Sequence, residues 1–244
     1  MRKLKHALLG AAMFITMFAA APTASLAAFA DAWAAIDRDS ISMVFNGEGL
    51  PIQGYIIDAY AQAGDNSAQA MGWILETIAQ EDPGQYWGWS GGDETDLYTA
   101  AYVEGSGDFS GLAYGEALWN GLYTAPQEGT LSISFDYYLW YEVSSEVGEM
   151  TYAYADPGVS LTIGDQSVSS DPFFFGEAFN GMSFDVDMPG NLSLIYDLAA
   201  GETVDFEALV SSQSEISAVP VPAAVWLLGS GLLGLCGIRK RFNQ

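Results

Sequence analysis

The sequence predicts an all-β fold: a single antiparallel β-sandwich or jelly-roll-like domain, preceded by a helical signal peptide and followed by a C-terminal transmembrane helix. Three observations carry that expectation. From Gly129 onward, apolar residues recur at every second position, the period of a strand with one buried face. Gly, Pro, Asn and Asp break these segments at short intervals, as sandwiches require. The bases Arg2, Lys3, Lys5, Arg239, Lys240 and Arg241 all lie at the two ends, leaving Arg38 as the only base between them, against 31 acids and a formal charge of −30 for that stretch. Half of the residues are hydrophobic, so this is not the composition of a disordered acidic chain. Such a surface repels nucleic acid and anionic lipid.

Residues 1–27 read as a cleaved secretory signal. Arg2, Lys3 and Lys5 lead into an apolar run over 7–21, shorter than a comfortable membrane span and followed by small residues. Ser25-Leu26-Ala27 offers small side chains where a signal peptidase reads them, and Ala28-Phe29-Ala30 is a second candidate. One body follows over 28–217, with no long linker and no clean repeat to divide it.

In the first half of the body, Ile41, Met43 and Phe45 predict a first strand and 55–61 a second. Met71, Ile74, Leu75 and Ile78 fit helical spacing, while Met71, Trp73 and Leu75 alternate; a strand is expected there and a short helix stays open. Residues 86–96 (YWGWSGGDETD) read as a Gly-rich loop, and 97–103 and 117–124 as extended.

In the second half, Leu131, Ile133, Phe135, Tyr137, Leu139, Tyr141 and Val143 form a buried face, with Ser132, Ser134, Asp136, Tyr138, Trp140 and Glu142 toward solvent. Met150, Tyr152 and Tyr154 repeat the device up to a turn at Asp156-Pro157-Gly158, after which Val159, Leu161 and Ile163 run to Gly164-Asp165. Phe184, Val186 and Met188 alternate with Asp185 and Asp187 until Pro189-Gly190-Asn191 turns the chain. Leu192, Leu194, Tyr196 and Leu198 form one more face, and Val204, Phe206, Ala208 and Val210 another after Ala200-Gly201.

Residues 218–244 read as a membrane tail. The uncharged stretch 223–238 would make a helix about 24 Å long, and extending it to 222–238 and beyond brings it near the roughly 30 Å hydrocarbon core. Arg239, Lys240 and Arg241 close it abruptly, a basic stop held in the cytoplasm by the positive-inside rule. Pro220 and Pro222 lack amide donors and hold their predecessors extended, leaving an exposed strip just outside the membrane.

The order of these parts is specific. Val219, Pro220, Val221, Pro222 and Ala223, then Ala224-Val225-Trp226-Leu227-Leu228-Gly229-Ser230-Gly231, an apolar span and the basic end resemble a PEP-CTERM sorting signal of the Val-Pro-x-Pro-Ala variant. The match covers about the last 26 residues. The glutamate of the Pro-Glu-Pro core is missing, which leaves the variant of processing enzyme open. The resemblance implies export through the inner membrane of a Gram-negative bacterium that makes exopolysaccharide, transient anchoring there, and removal of the tail by an exosortase. Cys236 would then be a membrane-embedded spectator. The stretches 124–134 and 197–204 are similar to recurrent segments of extracellular β-sandwich modules.

The chemistry open to the body is narrow. It holds no His, Cys or Lys, which excludes Ser–His–Asp and Cys–His catalysis, imidazole or thiolate metal sites and a phosphate-binding loop. Carboxylates remain. Calcium would find its best ligands in Asp93, Glu94, Thr95 and Asp96 after Gly91-Gly92, although the cluster matches no EF-hand loop and equally reads as a solvated acidic turn. Glycoside hydrolysis needs only two suitably spaced acids, but the laminarinase-type pattern E-x-D-x-x-E is absent. Tyr138 and Trp140, beside Asp136 and Glu142, and the pair Trp87 and Trp89 are candidate glycan contacts: flat rings stack on sugar C–H faces while carboxylates accept from hydroxyls, which suits a neutral polysaccharide. Both pairs could instead be buried by neighbouring structure. The sequence thus points to an exported, noncatalytic surface or matrix protein of an exopolysaccharide biofilm, without a cofactor, with a calcium-supported adhesin and a carboxylate glycoside hydrolase as alternatives.

Overall fold

The computed structural model describes residues 27–218, apart from 53–55, 65, 73–74, 82–85, 93–95, 107–109, 146–150 and 172–173. Of the expected signal peptide only Ala27 is described, in a strand; the Val219–Ala223 motif, the membrane helix and the basic stop Arg239, Lys240 and Arg241 lie outside the described residues. No helix among the described residues is long and apolar enough to cross a membrane.

The described chain is all-β, antiparallel throughout, and forms one domain of two facing sheets. Strands are numbered in chain order. The eight-stranded sheet holds β1 (Ala27–Asp37), β2 (Ser42–Phe45), β3 (Glu48–Gly49), β6 (Leu75–Glu81), β7 (Tyr86–Gly92), β8 (Asp96–Ser106), β10 (Gly129–Ser145) and β14 (Ser183–Leu198). The seven-stranded sheet holds β4 (Ile56–Ala63), β5 (Asn66–Gly72), β9 (Gly111–Thr124), β11 (Thr151–Ile163), β12 (Gln166–Ser169), β13 (Gly176–Phe179) and β15 (Thr203–Ala218).

In the larger sheet, β10 has β14 on one side and β1 and β2 end to end on the other, then β8, β7 and β6. In the smaller sheet, β15 lies between β11 and β9, and β4 and β5 continue outward from β9. Between β1 and β2 a short 3-10 turn, Arg38–Ser40, interrupts the edge, with Asp37 capping it by accepting from the Asp39 amide at 2.9 Å. Ser40 Oγ fills the resulting gap and accepts from the Asp136 amide of β10 at 2.7 Å.

The interior has two unlike ends. At one, Leu131, Ile133, Phe135, Leu139, Leu161 and Ile163 are fully buried, each worth about 1.5–3 kcal/mol of apolar burial, and Trp119 packs on Phe206 with ring centroids 4.9 Å apart. At the other, alanines meet alanines: Ala28, Ala30 and Ala32 of β1 share a cluster with Ala61, Ala153 and Ala155. With so little side chain between them the sheets come close enough for direct bonds across the seam. Ser90 Oγ donates to the Tyr60 carbonyl and Ser214 Oγ to the Ala101 carbonyl, both at 2.7 Å.

The structure corrects four readings of the sequence. Residues 86–92 are strand β7, inside the larger sheet, where a Gly-rich loop is expected; their partners on both sides supply the ladder. Strand β11 runs straight through Asp156-Pro157-Gly158, with Thr151, Ala153 and Ala155 inward and Tyr152 and Tyr154 outward. Pro157 falls in the interval between β12 and β13, which pair β11 only over 160–163 and 152–155, where a missing amide donor costs no ladder bond. Strand β14 likewise passes through Pro189-Gly190-Asn191, with no strand beyond it among the described residues. The first strand is β1, ahead of Ile41. The strand expected over 71–78 is present on both sides of 73–74.

Candidate functional site

The outer face of the larger sheet gathers the aromatic residues that the sequence scatters. Strand register aligns Ile78, Trp89, Ala100, Trp33, Trp140 and Asp187 in one row across β6, β7, β8, β1, β10 and β14. The neighbouring row on the same face reads Gln80, Trp87, Tyr102, Asp31, Glu142 and Asp185. On the other side of the Trp33 row, Tyr98, Ala35 and Tyr138 align. Of the five tryptophans among the described residues, only Trp119 lies in the core; Trp33, Trp87, Trp89 and Trp140 are half-buried on this face.

The rings hold one another in place. Trp87 stacks on Tyr102 at 5.8 Å and 18°, Trp89 tilts against Tyr98 at 4.9 Å, and Trp33 against Tyr138 at 5.3 Å. Carboxylates fix the outer members. Trp140 Nε1 donates to Asp185 Oδ1 at 2.8 Å, the Tyr138 hydroxyl to Asp187 Oδ2 at 3.2 Å, and the Tyr102 hydroxyl to Glu104 Oε2 at 2.7 Å. Trp87 and Trp89, with Ile78 and Gln80, line a shallow hollow of about 350 Å³ whose walls are almost wholly apolar.

The four residues singled out from sequence, Trp87, Trp89, Tyr138 and Trp140, therefore share one face. The two pairs do not touch: β8 and β1 lie between them. Trp33, Tyr98 and Tyr102 complete the surface, and sequence reasoning missed them. Trp33 sits in an inverted pattern, with alanines inward and Phe29, Asp31 and Trp33 outward, so hydropathy alternation gives the wrong face. Outward aromatics alternating with alanine are the signal that could have found it.

Asp31 is the electrostatic centre. It lies opposite Glu142 in the β1–β10 ladder; burial, and then the Glu142 charge, push its carboxyl up to about 7. Burial and the bond to Glu104 also raise the Tyr102 phenol, keeping it a hydrogen-bond donor at neutral pH. Arg38, the only base among the described residues, is buried.

A hollow of about 570 Å³ elsewhere on the molecule is lined by Glu128, Gly129, Thr130, Asp197, Leu198 and Ala199, without a ring. Among the described residues no group of three or more carboxylates is placed to hold a metal ion. Of the expected calcium cluster, Asp93, Glu94 and Thr95 lie outside the described residues and Asp96 is the first residue of β8. No protein-family model, no curated protein and no solved structure matches the chain.

Proposed function

We propose that this is an exported surface or matrix protein, sorted through its C-terminal tail by an exosortase, whose sandwich holds a polysaccharide chain on the outer face of the larger sheet without cleaving it. The observation that carries the binding reading is the convergence of Trp33, Trp87, Trp89 and Trp140 on one six-strand face. Flat rings on neighbouring strands about 5 Å apart, Trp33 beside Trp140 and Trp87 beside Tyr102, suit a linear chain lying across the strands, with acceptors at hand for its hydroxyls. Support for export is the terminal pattern of the sequence. A cut after Ala27 leaves β1 intact from Ala28, whereas a cut after Ala30 would remove the fully buried Ala28 and Ala30.

The test is binding of the purified protein to the exopolysaccharide of its own source, with Trp33→Ala plus Trp140→Ala as the variant. Loss of binding at an unchanged melting temperature supports the reading. Unchanged binding by this variant and by Trp87→Ala plus Trp89→Ala would remove it.

A second reading, carboxylate glycoside hydrolysis, is favoured by one observation: Asp31, its carboxyl pushed up to about 7, lies opposite Glu142 in the ladder, and such enzymes work with two neighbouring carboxyl groups, one of them raised. Release of reducing ends from the same polysaccharide, abolished by Glu142→Gln, would establish it in place of the first.

A further inference from the structure

We infer that the chain held on this face carries positive charge: an unbranched amino-sugar polymer in which some amines are free ammonium groups. This rests on the binding reading above and names its ligand class. Sequence reasoning pointed to a neutral glycan; the register shows what the rings stand among. Asp31, Glu142 and Asp185 occupy adjacent places in one row, Asp187 ends the Trp33 row, and Glu104 takes the Tyr102 hydroxyl. Five carboxylates thus surround four indoles and three phenols. Arg38, the only base among the described residues, is buried in the turn after β1, and no place in these rows holds a base.

Each component selects for the same ligand. The electron-rich face of an indole attracts a cation, tryptophan most strongly of the aromatic side chains. An ammonium group donates three hydrogen bonds and accepts none, which matches the acceptor oxygens of Glu142, Asp185, Asp187 and Glu104, and its charge favours loss of the Asp31 proton. A uronic-acid chain would meet a body of formal charge −30 and be repelled. A neutral chain would satisfy the rings and leave the carboxylate row without counter-charge. Asp31 stands in the same row, its carboxyl pushed up to about 7 first by burial and then by the Glu142 charge. The groups facing it are Glu142 from β10 and Tyr102 from β8, with Glu104 and Asp185 further along, and none is a cation.

Shape narrows the class further. The face is an open sheet surface and its hollow is shallow, so a chain without branches can lie flat across several strands. The Trp33 row offers an indole on β7, a gap over Ala100 on β8, then indoles on β1 and β10. Consecutive sugar rings can therefore meet rings and carboxylates in turn.

The experiment compares two oligosaccharides with the same β-1,4-linked backbone, a glucosamine oligomer and its fully N-acetylated counterpart, by calorimetry with the purified protein at mildly acidic pH. The expected result is at least about tenfold tighter binding of the ammonium form, in line with one desolvated cation–π contact plus its carboxylate partners. That preference should collapse at high salt and in Glu142→Gln with Asp185→Asn, whose amide oxygen can still accept from Trp140. Equal affinity for the two forms, lost in Trp33→Ala with Trp140→Ala, would overturn the inference and leave the binding reading standing. Binding of neither form, while the source polysaccharide binds, would overturn it too; binding of none of the three would remove both. Tight binding of the ammonium form that the two tryptophan substitutions leave unchanged, in a variant with a normal melting temperature, would reduce the effect to diffuse attraction between opposite charges and overturn the inference.

Discussion

Gly88 of β7 faces the carbonyl oxygen of Tyr114 on β9 across the sandwich so closely that a β-carbon on Gly88 would overlap it, and would stand only 2.5 Å from the Gln62 carbonyl oxygen of β4. At Gly115 the approach is reciprocal, with the Trp89 carbonyl 2.6 Å from where a β-carbon would be. Here the two sheets meet backbone to backbone. Both obstacles are main-chain atoms in paired strands, so no rotamer change can make room.

Gly88→Ala should accordingly destabilise the protein by about 3 kcal/mol or more, because the added methyl must force the sheets apart. Gly49→Ala, where an added β-carbon meets open space, should shift stability by less than about 0.5 kcal/mol. Urea unfolding of the two variants checks this; equal midpoints would show that the seam can open freely.

Asp31→Asn tests the acid at the centre of the aromatic face. Its folded-state carboxyl is raised from 3.8 to about 7, so the folded protein binds more protons than the unfolded chain between those values. Stability from this group is greatest at low pH, falls as pH rises through that window, and is level above it. The asparagine variant lacks the penalty. It should match the wild type near the low end and exceed it above the high end by on the order of 2 kcal/mol, after discounting for the group's residual exposure. A stability difference that does not change with pH would contradict the assignment.

Ser40→Ala removes the hydroxyl that accepts from the Asp136 amide at 2.7 Å and itself donates to the Asp37 carbonyl at 2.6 Å. The gap between β1 and β2 then has no side-chain bridge, though water can reach it. The expected cost is about 1 kcal/mol, a fall of about 2–4 °C in melting temperature for a domain of this size. Calorimetry of the variant decides it.

Intact mass of the protein recovered outside the cell should correspond to a start at Ala28 and an end within 219–222. Recovery of that pool with Cys236 still attached would exclude removal of the tail. Replacing Pro220 and Pro222 together with Ala should block release while leaving the melting temperature unchanged, since both lie beyond β15.

The sequence announced the sheets more clearly than their edges. The alternation from Leu131 to Val143 marks inward and outward faces correctly because large aliphatic residues line that interior. It fails at Tyr152 and Tyr154, and at Trp33, because the interior there is built of alanine, and the larger residue of each pair points outward. Pro157 and Pro189 read as turns because proline usually ends a strand. They are tolerated here because no strand pairs β11 on the side away from β15 over 156–158, and no strand among the described residues lies beyond β14. Four of the seven rings of the aromatic face were visible, as two isolated pairs. Its unity was not, since Trp89 and Trp140 are 51 positions apart and only the ladder through β8 and β1 sets them in one row.

The position of β15 bears on how the protein would carry load. It ends at Ala218, where the tail begins, and it is clamped along its length, by β11 over thirteen residue pairs and by β9 over fourteen. Tension applied at that end while the opposite sheet grips a polymer would run parallel to the strand. Two hydrogen-bond ladders would then resist in shear, all bonds at once, where β14 is held by the single ladder to β10.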